Sequence, residues 1–360
     1  MSEIINQKVR DLVPYDPIEG EYRIRLDANE SFLPAPLPAD GMKTIEAAVS
    51  RTAWNRYPDP LAREVCAAFA GFYGVPEEYL TACNASDESI FLLFSAFLMK
   101  GDAFLTLAPD FSMYRFYGEI VEGEGVCLPK REDLSIDVDA VIRTVREKDV
   151  KLVIFSNPCN PTSLGLDRGE VRRLIREVEA LVVLDEAYMD FWDQSLLHEV
   201  GEYENLVILR TCSKAIGLAS LRLGFCVANP ALTRIIRAVK SPYNSNTLTQ
   251  AIGAQVLAQK EQLRENIRRL VQAREELYQG MEALREASAA FHLYESCTNF
   301  VFLKFYREQE AGELHAYLLE NSIAVRLFPG GYLRITAGSP EENAELLRVM
   351  ESYWQRGQGK

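Results

Sequence analysis

The stretch Arg210-Thr-Cys-Ser-Lys214 follows a short apolar run, Leu206-Val-Ile-Leu209. A lysine amine at the end of a strand can add to an aldehyde and afterwards carry a proton, once apolar or cationic neighbours have lowered its pKa. Two further apolar runs end on matching chemistry: Leu181-Val-Val-Leu184 leads into Asp185-Glu-Ala-Tyr188, and Lys151-Leu-Val-Ile-Phe155 into Ser156-Asn-Pro-Cys-Asn160. A carboxylate such as Asp185 can hold a pyridine nitrogen protonated, while Tyr188 and Asn160 can donate to a phenolic oxygen. Thr211 and Ser213 flank the lysine with hydroxyls, Arg222 offers a bidentate fork, and Ala85-Ser86-Asp87 can open a helix whose backbone N–H groups face an anion. Phe111 adds an aromatic face. Amine, ring-nitrogen partner, phenolic-oxygen donors, phosphate cradle and stacking face are together the requirements of pyridoxal phosphate.

Each piece alone has a plainer reading. Asp185-Glu-Ala-Tyr after an apolar strand also fits a Walker-B-like carboxylate or a helix cap, Ser213-Lys214 a surface dipeptide, Arg222 an ion-paired helix end and Phe111 a core residue. The chain contains no G-x-x-x-x-G-K-[ST] and no G-x-G-x-x-G, which removes the nucleotide readings. The joint order and spacing of the pieces carry the cofactor reading.

The elements that must position these residues are short apolar runs alternating with helical patterns: Ala103-Phe-Leu-Thr-Leu, the three runs above, and Leu223-Gly-Phe-Cys-Val. They predict an α/β fold with a mostly parallel, seven-stranded type of sheet between helices, with ligands at the carboxyl ends of the strands. A stripe of Leu263, Ile267, Leu270, Leu277, Met281 and Leu284 predicts one long helix over 260–285. Beyond it, Phe300-Val-Phe-Leu-Lys-Phe, a helix around Glu313 to Asn321, Ile323-Ala-Val-Arg, Tyr332-Leu-Arg-Ile-Thr and a last helix from Pro340 predict a smaller α+β domain. The expected division is an N-terminal arm over 1–40 packing beside that small domain, a large cofactor-binding domain over 41–259, and a small domain over 260–360 opened by the connecting helix.

With 360 residues, 48% hydrophobic and 25% charged, the chain has the composition of a folded globular protein larger than one simple core. Its 52 acidic against 39 basic residues leave a net charge of −13, which speaks against nucleic acid as a partner. Met1-Ser-Glu-Ile-Ile lacks a basic region before an apolar core, and Ile90 to Met99 is too short to span a membrane, so a cytoplasmic, unprocessed protein is expected. The seven cysteines never form a C-x-x-C pair and are expected as buried or semi-buried free thiols. His198, His292 and His315 are scattered, so no metal site is expected.

Asp27-Ala-Asn-Glu, Arg56-Tyr-Pro-Asp-Pro, Asn84-Ala-Ser-Asp-Glu, Ala108-Pro-Asp-Phe-Ser-Met-Tyr, Ser156-Asn-Pro-Cys-Asn-Pro-Thr, Asp185-Glu-Ala-Tyr, Arg210-Thr-Cys-Ser-Lys-Ala-Ile-Gly-Leu-Ala-Ser-Leu-Arg-Leu-Gly and Leu333-Arg-Ile-Thr resemble, in the same order, the motifs of fold-type I aminotransferases of the aspartate aminotransferase superfamily. The resemblance spans nearly the whole chain. Pro242-Tyr-Asn-Ser-Asn-Thr-Leu-Thr-Gln, with Arg56-Tyr-Pro-Asp-Pro, is most similar to the histidinol-phosphate aminotransferase branch. The resemblance implies that Lys214 bonds the cofactor, that Asp185 meets the pyridine nitrogen, and that Asn160 and Tyr188 meet the phenolic oxygen. It implies a homodimer with shared active sites, in which Tyr57 reaches the cofactor phosphate of the neighbouring subunit. Arg334 would bind the acidic end of either substrate with help from Arg326 and Tyr243, and Asn29 and Tyr57 join the same group. The implied reaction is ping-pong transamination between histidinol phosphate and 2-oxoglutarate.

Three positions depart from the family's pattern: Ala85 and Ser163 stand where glycine is usual, and Phe111 where tyrosine is common. Ser163, followed by Gly165, suggests a different turn. Neighbouring readings on the same fold are an aromatic or broad-specificity aminotransferase and a threonine-phosphate decarboxylase. A reading of another class is a catalytically silent binding module.

Overall fold

The computed structural model of the protein describes residues 6–10, 18–38 and 41–358. Of the expected N-terminal arm, residues 1–5, 11–17 and 39–40 lie outside the described part, and with them the start Met1-Ser-Glu-Ile-Ile. The arm contributes a two-residue strand, β1 (Ile24–Arg25).

Seven strands then build the main sheet: β2 (Leu80–Asn84), β3 (Ala103–Ala108), β4 (Glu124–Pro129), β5 (Leu152–Ser156), β6 (Leu181–Asp185), β7 (Leu206–Thr211) and β8 (Leu223–Ala228). Their order is β2-β8-β7-β6-β5-β3-β4. β8 alone runs against its neighbours β2 and β7, so the carboxyl ends of the other six and the amino end of β8 share one edge. The mostly parallel sheet expected from the apolar runs is therefore present.

Alternate residues along the central strands divide between two apolar clusters. Val153, Phe155, Val182, Leu184 and Ile208 join one, and Leu152, Ile154, Val183, Val207 and Leu209 the other. Both faces are covered by helices, which is why these runs are apolar at every position instead of alternating with polar residues. The edge strand β4 does alternate, and it turns Cys127 outward. Cys127 is accordingly exposed, which corrects the expectation that every thiol is buried or semi-buried; the other six are.

The helix Lys260–Ser288 is 29 residues, about 44 Å long at 1.5 Å per residue. Leu263, Leu270, Leu277 and Met281 lie buried on the stripe, and Ala289 ends the helix in the left-handed region. Beyond it come β9 (Phe291–Leu293), β10 (Phe300–Phe305), β11 (Ile323–Ala324), β12 (Arg326–Phe328) and β13 (Tyr332–Thr336). An antiparallel sheet ordered β12-β13-β10-β9 packs against the helices Lys260–Ser288 and Glu308–Glu320, and the helix Pro340–Gln358 packs on those two helices. The arm joins this part of the chain, since β1 pairs in parallel with β11. Among the described residues no helix is long and apolar enough to cross a membrane.

Phe225, on the reversed strand β8, is fully buried with its ring 4.2 Å from that of Phe69. Phe225→Ala should lower stability by about 3–5 kcal/mol through the lost contacts and the cavity left behind. Denaturant unfolding measures this, and a loss below about 1 kcal/mol would contradict the packing described.

Candidate active site

The loop after β7 carries Ser213 and Lys214 to the shared strand edge, where they line a cavity of about 250 Å3. Lys214 Nζ donates to the carbonyl of Ala28 at 2.9 Å and lies 5.9 Å from the centre of the Tyr188 ring. Its amine is lowered to about 8, first by burial and then by the charges of Arg334 and Arg222, against the opposing pull of Glu30 and Asp87. At pH 7 about a tenth of it is then the uncharged nucleophile, against under a thousandth for an ordinary lysine.

Asp185, at the end of β6, is buried on the same wall. Its carboxylate accepts from the Tyr114 hydroxyl at 2.7 Å and from the Ala187 amide at 3.0 Å. Burial nevertheless pushes the carboxyl up to about 6, outweighing both hydrogen bonds. Tyr188 follows on the same turn, and its hydroxyl oxygen accepts from Asn29 Nδ2 at 2.8 Å. The phenolic proton is thus left to point elsewhere. Asn160 Oδ1 accepts from Arg334, which leaves the Asn160 amide nitrogen as a donor. Arg334 also donates to the Asp27 carbonyl at 2.6 Å, and its guanidinium stacks 5.5 Å from the Phe300 ring and 5.6 Å from the Phe328 ring.

Another part of the wall has the groups to cradle an anion. The helix Ala85–Phe97 starts directly from β2, and Ser86 and Asp87 of its first turn line the cavity. Ser86 Oγ and Ser213 Oγ are both buried without a hydrogen-bond partner. A buried hydroxyl left unpaired costs about 1–3 kcal/mol, so an oxyanion held here would satisfy two of them at a helix amino end. Arg222 stands beside them, ion-paired to Asp87 at 3.1 Å, and Thr211 Oγ1 accepts from the Ser213 amide at 3.1 Å. A β-carbon on Gly224 would lie 2.8 Å from the Ala85 carbonyl carbon, so glycine there is what lets β8 pass the start of the helix. With Phe111 on the wall, its ring edge-on to Tyr114 at 5.4 Å, this residue set fits a phosphorylated pyridine aldehyde.

Of the site residues read from sequence, Asn29, Ala85, Ser86, Asp87, Phe111, Asn160, Asp185, Tyr188, Thr211, Ser213, Lys214, Arg222 and Arg334 line this one cavity. Three do not. Arg326 stands in register opposite Arg334 on β12 but is not on the cavity wall. Tyr57 and Tyr243 stack on each other, 4.3 Å between centroids, on the exposed surface. Sequence reading assigned no role to Tyr114, whose partner is 71 residues away, nor to the Ala28 carbonyl. Ser163 is where a different turn was expected. Ser163 itself adopts the left-handed conformation (φ 63), and its hydroxyl donates to the Glu295 carbonyl at 2.6 Å, so the serine keeps a turn suited to glycine. Ala85 does likewise, with φ 62.

Two outcomes follow from these contacts. Covalent uptake of pyridoxal phosphate by the cofactor-free protein should accelerate as pH rises, with a midpoint near 8 as Lys214 loses its proton. Absorbance on mixing across a pH series measures it, and a midpoint in the ordinary lysine range would refute the assigned environment. Tyr114→Phe removes one hydrogen bond to a carboxylate, worth about 1.5–3 kcal/mol, and should weaken cofactor binding about tenfold or more near neutral pH. Titration of the cofactor-free variant gives the affinity, and a wild-type value would show that the contact is idle.

The model of the family described as aminotransferase class I and II matches residues 23–350. A histidinol-phosphate aminotransferase of Clostridium kluyveri is 37% identical over 351 residues, covering 96% of this chain and 97% of that protein. The fold is shared with the crystal structure of histidinol-phosphate aminotransferase from Sinorhizobium meliloti in complex with pyridoxal-5'-phosphate, at a TM-score of 0.83 and 21% identity, covering 97% of this chain and 98% of that one. It is also shared with L-threonine-O-3-phosphate decarboxylase from Porphyromonas gingivalis, at a TM-score of 0.75 and 21% identity over 92% of this chain and 99% of the other, so backbone likeness by itself does not choose a substrate. Together, the matched family model, the curated relative and the cavity chemistry show that the chain belongs to the aminotransferase class I and II family, as a pyridoxal-phosphate-dependent enzyme of its histidinol-phosphate aminotransferase branch.

Proposed function

We propose that this chain moves the amino group of histidinol phosphate to 2-oxoglutarate, yielding imidazole-acetol phosphate and glutamate, and runs the same steps in reverse. The observation that carries the reading is one cavity holding Lys214, lowered to about 8, together with buried Asp185 and the pinned guanidinium of Arg334. The likeness to the Clostridium kluyveri enzyme supplies the choice of substrate.

When bound, pyridoxal phosphate supplies an aldehyde carbon for amine exchange and a protonated ring that takes up the electrons left behind when Cα loses its proton. Lys214 moves that proton between the substrate Cα and the cofactor's C4′, and its lowered pKa lets it act as a base and then an acid near neutral pH. Asp185 holds the proton on the pyridine nitrogen, with Tyr114 orienting the carboxylate. Tyr188 donates to the phenolic oxygen because Asn29 already occupies its lone pair, and Asn160 donates beside it because Arg334 occupies its carbonyl oxygen. Ser86, Thr211, Ser213 and Arg222 hold the phosphate, Ala85 and Asp87 complete the helix start that faces it, and Phe111 covers the ring face. Arg334, with Arg326 behind it on the neighbouring strand, takes the acidic end of each substrate in turn. Donor and acceptor therefore share one site, which makes the kinetics ping-pong.

The reading includes a homodimer, placed in the cytoplasm, in which the partner subunit's Tyr57 completes the phosphate site and Tyr243 borders the substrate. What supports it is the exposed aromatic surface of Trp54, Tyr57 and Tyr243, at 70%, 79% and 45% exposure, since large aromatic groups of this kind mark interfaces.

The test is a spectroscopic half-reaction screen of the cofactor-loaded protein against histidinol phosphate, glutamate, phenylalanine, tyrosine and threonine phosphate. Histidinol phosphate and glutamate should discharge the cofactor fastest. Faster reaction with phenylalanine, or carbon dioxide release from threonine phosphate, would overturn the substrate assignment. Lys214→Ala should slow turnover by at least about 100-fold, the scale of lost acid–base catalysis, whereas Phe111→Tyr should chiefly shift preference among substrates.

A further inference from the structure

Lys130 and Cys159 form a buried pair outside the reaction just described. Lys130 Nζ lies 2.9 Å from Cys159 Sγ and 3.8 Å from Asp110 Oδ2. The side chains of Lys130 and Asp110 are each 1% exposed, and Cys159 is 2% exposed. A second cavity, of about 450 Å3, opens between the segment after β4 and the segment after β5, and both Lys130 and Cys159 are on its wall. None of its lining residues lines the cavity that holds Lys214. Small solutes thus have a route to an amine and a thiol already at contact distance, while their near-complete burial excludes bulky ones.

We propose that Lys130 and Cys159 are an oxidative modification site, at which hydrogen peroxide joins the lysine nitrogen to the cysteine sulfur. The Lys130 ammonium first passes its proton to Asp110, the Cys159 sulfur attacks one peroxide oxygen, the O–O bond breaks, and a sulfenic acid and water result. The Lys130 nitrogen then attacks that sulfur, the S–O bond breaks, and the departing oxygen leaves as water with the proton lost from nitrogen. In sum one thiol, one amine and one hydrogen peroxide give one S–N bond and two waters; the sulfur is oxidised by two electrons and the peroxide reduced by two. Proximity makes Lys130 the favoured partner, since both groups are pre-positioned and the cavity leaves little room for a competing thiol.

The link has a route to the neighbouring site. Asp110 receives hydrogen bonds from Ser156 Oγ and from the Ser156 amide, and Ser156 Oγ in turn accepts from the Asn160 amide at 3.2 Å. A bond between Lys130 and Cys159 removes the ammonium facing Asp110 and draws in the residue directly before Asn160. Activity should fall as the link forms and return when a thiol reductant cleaves it.

The experiment treats the cofactor-loaded protein with hydrogen peroxide, digests it without reductant and identifies peptides by mass. The expected product is a Lys130 peptide joined to a Cys159 peptide, lighter than their sum by a pair of hydrogens, restored by dithiothreitol and absent from Cys159→Ala and Lys130→Arg. Exposed Cys127 reports that the peroxide dose was effective. Cys159 recovered only as its oxygen acids beside a free Lys130, or unmodified while Cys127 is oxidised, would overturn the proposal. Loss of activity reversed by dithiothreitol should track the fraction of linked peptide, and equal loss in Cys159→Ala would overturn the link to function.

Discussion

A carboxylate buried at the centre of a sheet edge, held by a phenol and a backbone amide, is the constraint around which this site is arranged. Burial disfavours the charged form of Asp185 and pushes its carboxyl up to about 6. A cationic ring nitrogen placed against it converts that cost into a charge-assisted contact. Lys214 is strained electrostatically in the opposite direction, because burial and Arg334 both disfavour its ammonium form. One cavity therefore holds a carboxylate and an amine whose pKa values are moved toward each other, which is the condition for holding one proton and moving another near neutral pH.

Strand direction delivers these groups to a single edge. β5, β6 and β7 run in parallel, so Ser156, Asp185 and Thr211 all end on the same side, while the reversed β8 brings Arg222 and Gly224 back to it. Asn29, Ala85, Ser163 and Arg222 all take left-handed backbone conformations, with φ between 51 and 63. Each such residue costs about 1–2 kcal/mol relative to its relaxed conformation, and three of the four, Asn29, Ala85 and Arg222, line the Lys214 cavity, as is typical of a site over-determined by its surroundings. Hydrogen bonds from Asn29 to Tyr188 and from Ser163 to Glu295 help hold two of them in place.

The site is also a seam between parts of the chain far apart in sequence. Arg334, from the C-terminal sheet, meets Asn160 of the main sheet and the Asp27 carbonyl of the arm. Asn299 donates to the Asn29 carbonyl at 3.1 Å, and the Cys297 amide to that of Ser163 at 2.9 Å. The loop after β5 thus faces the Lys214 cavity with Asn160 and the Lys130 cavity with Cys159, one residue apart. Chemistry at either wall acts on the same short segment of backbone.

By itself the sequence determined the central strands and the residues at their ends, because strands buried on both faces must be apolar throughout and the polar residue that follows each is conspicuous. Lys214, Asp185, Tyr188 and Asn160 were legible for that reason, as was the long helix, whose stripe repeats over many turns. β2 and β4 were not. β4 is a half-exposed edge strand containing Gly125 and ending in Pro129, and β2 is five residues of mixed character, so neither makes a continuous apolar run. The hydroxyl of Tyr114 on Asp185, the Ala28 carbonyl on Lys214 and the approach of Lys130 to Cys159 were decided only by tertiary structure. Each joins segments separated by 29 residues or more, and residue type and local spacing contain no term for which distant side chains a folded sheet brings within hydrogen-bonding reach.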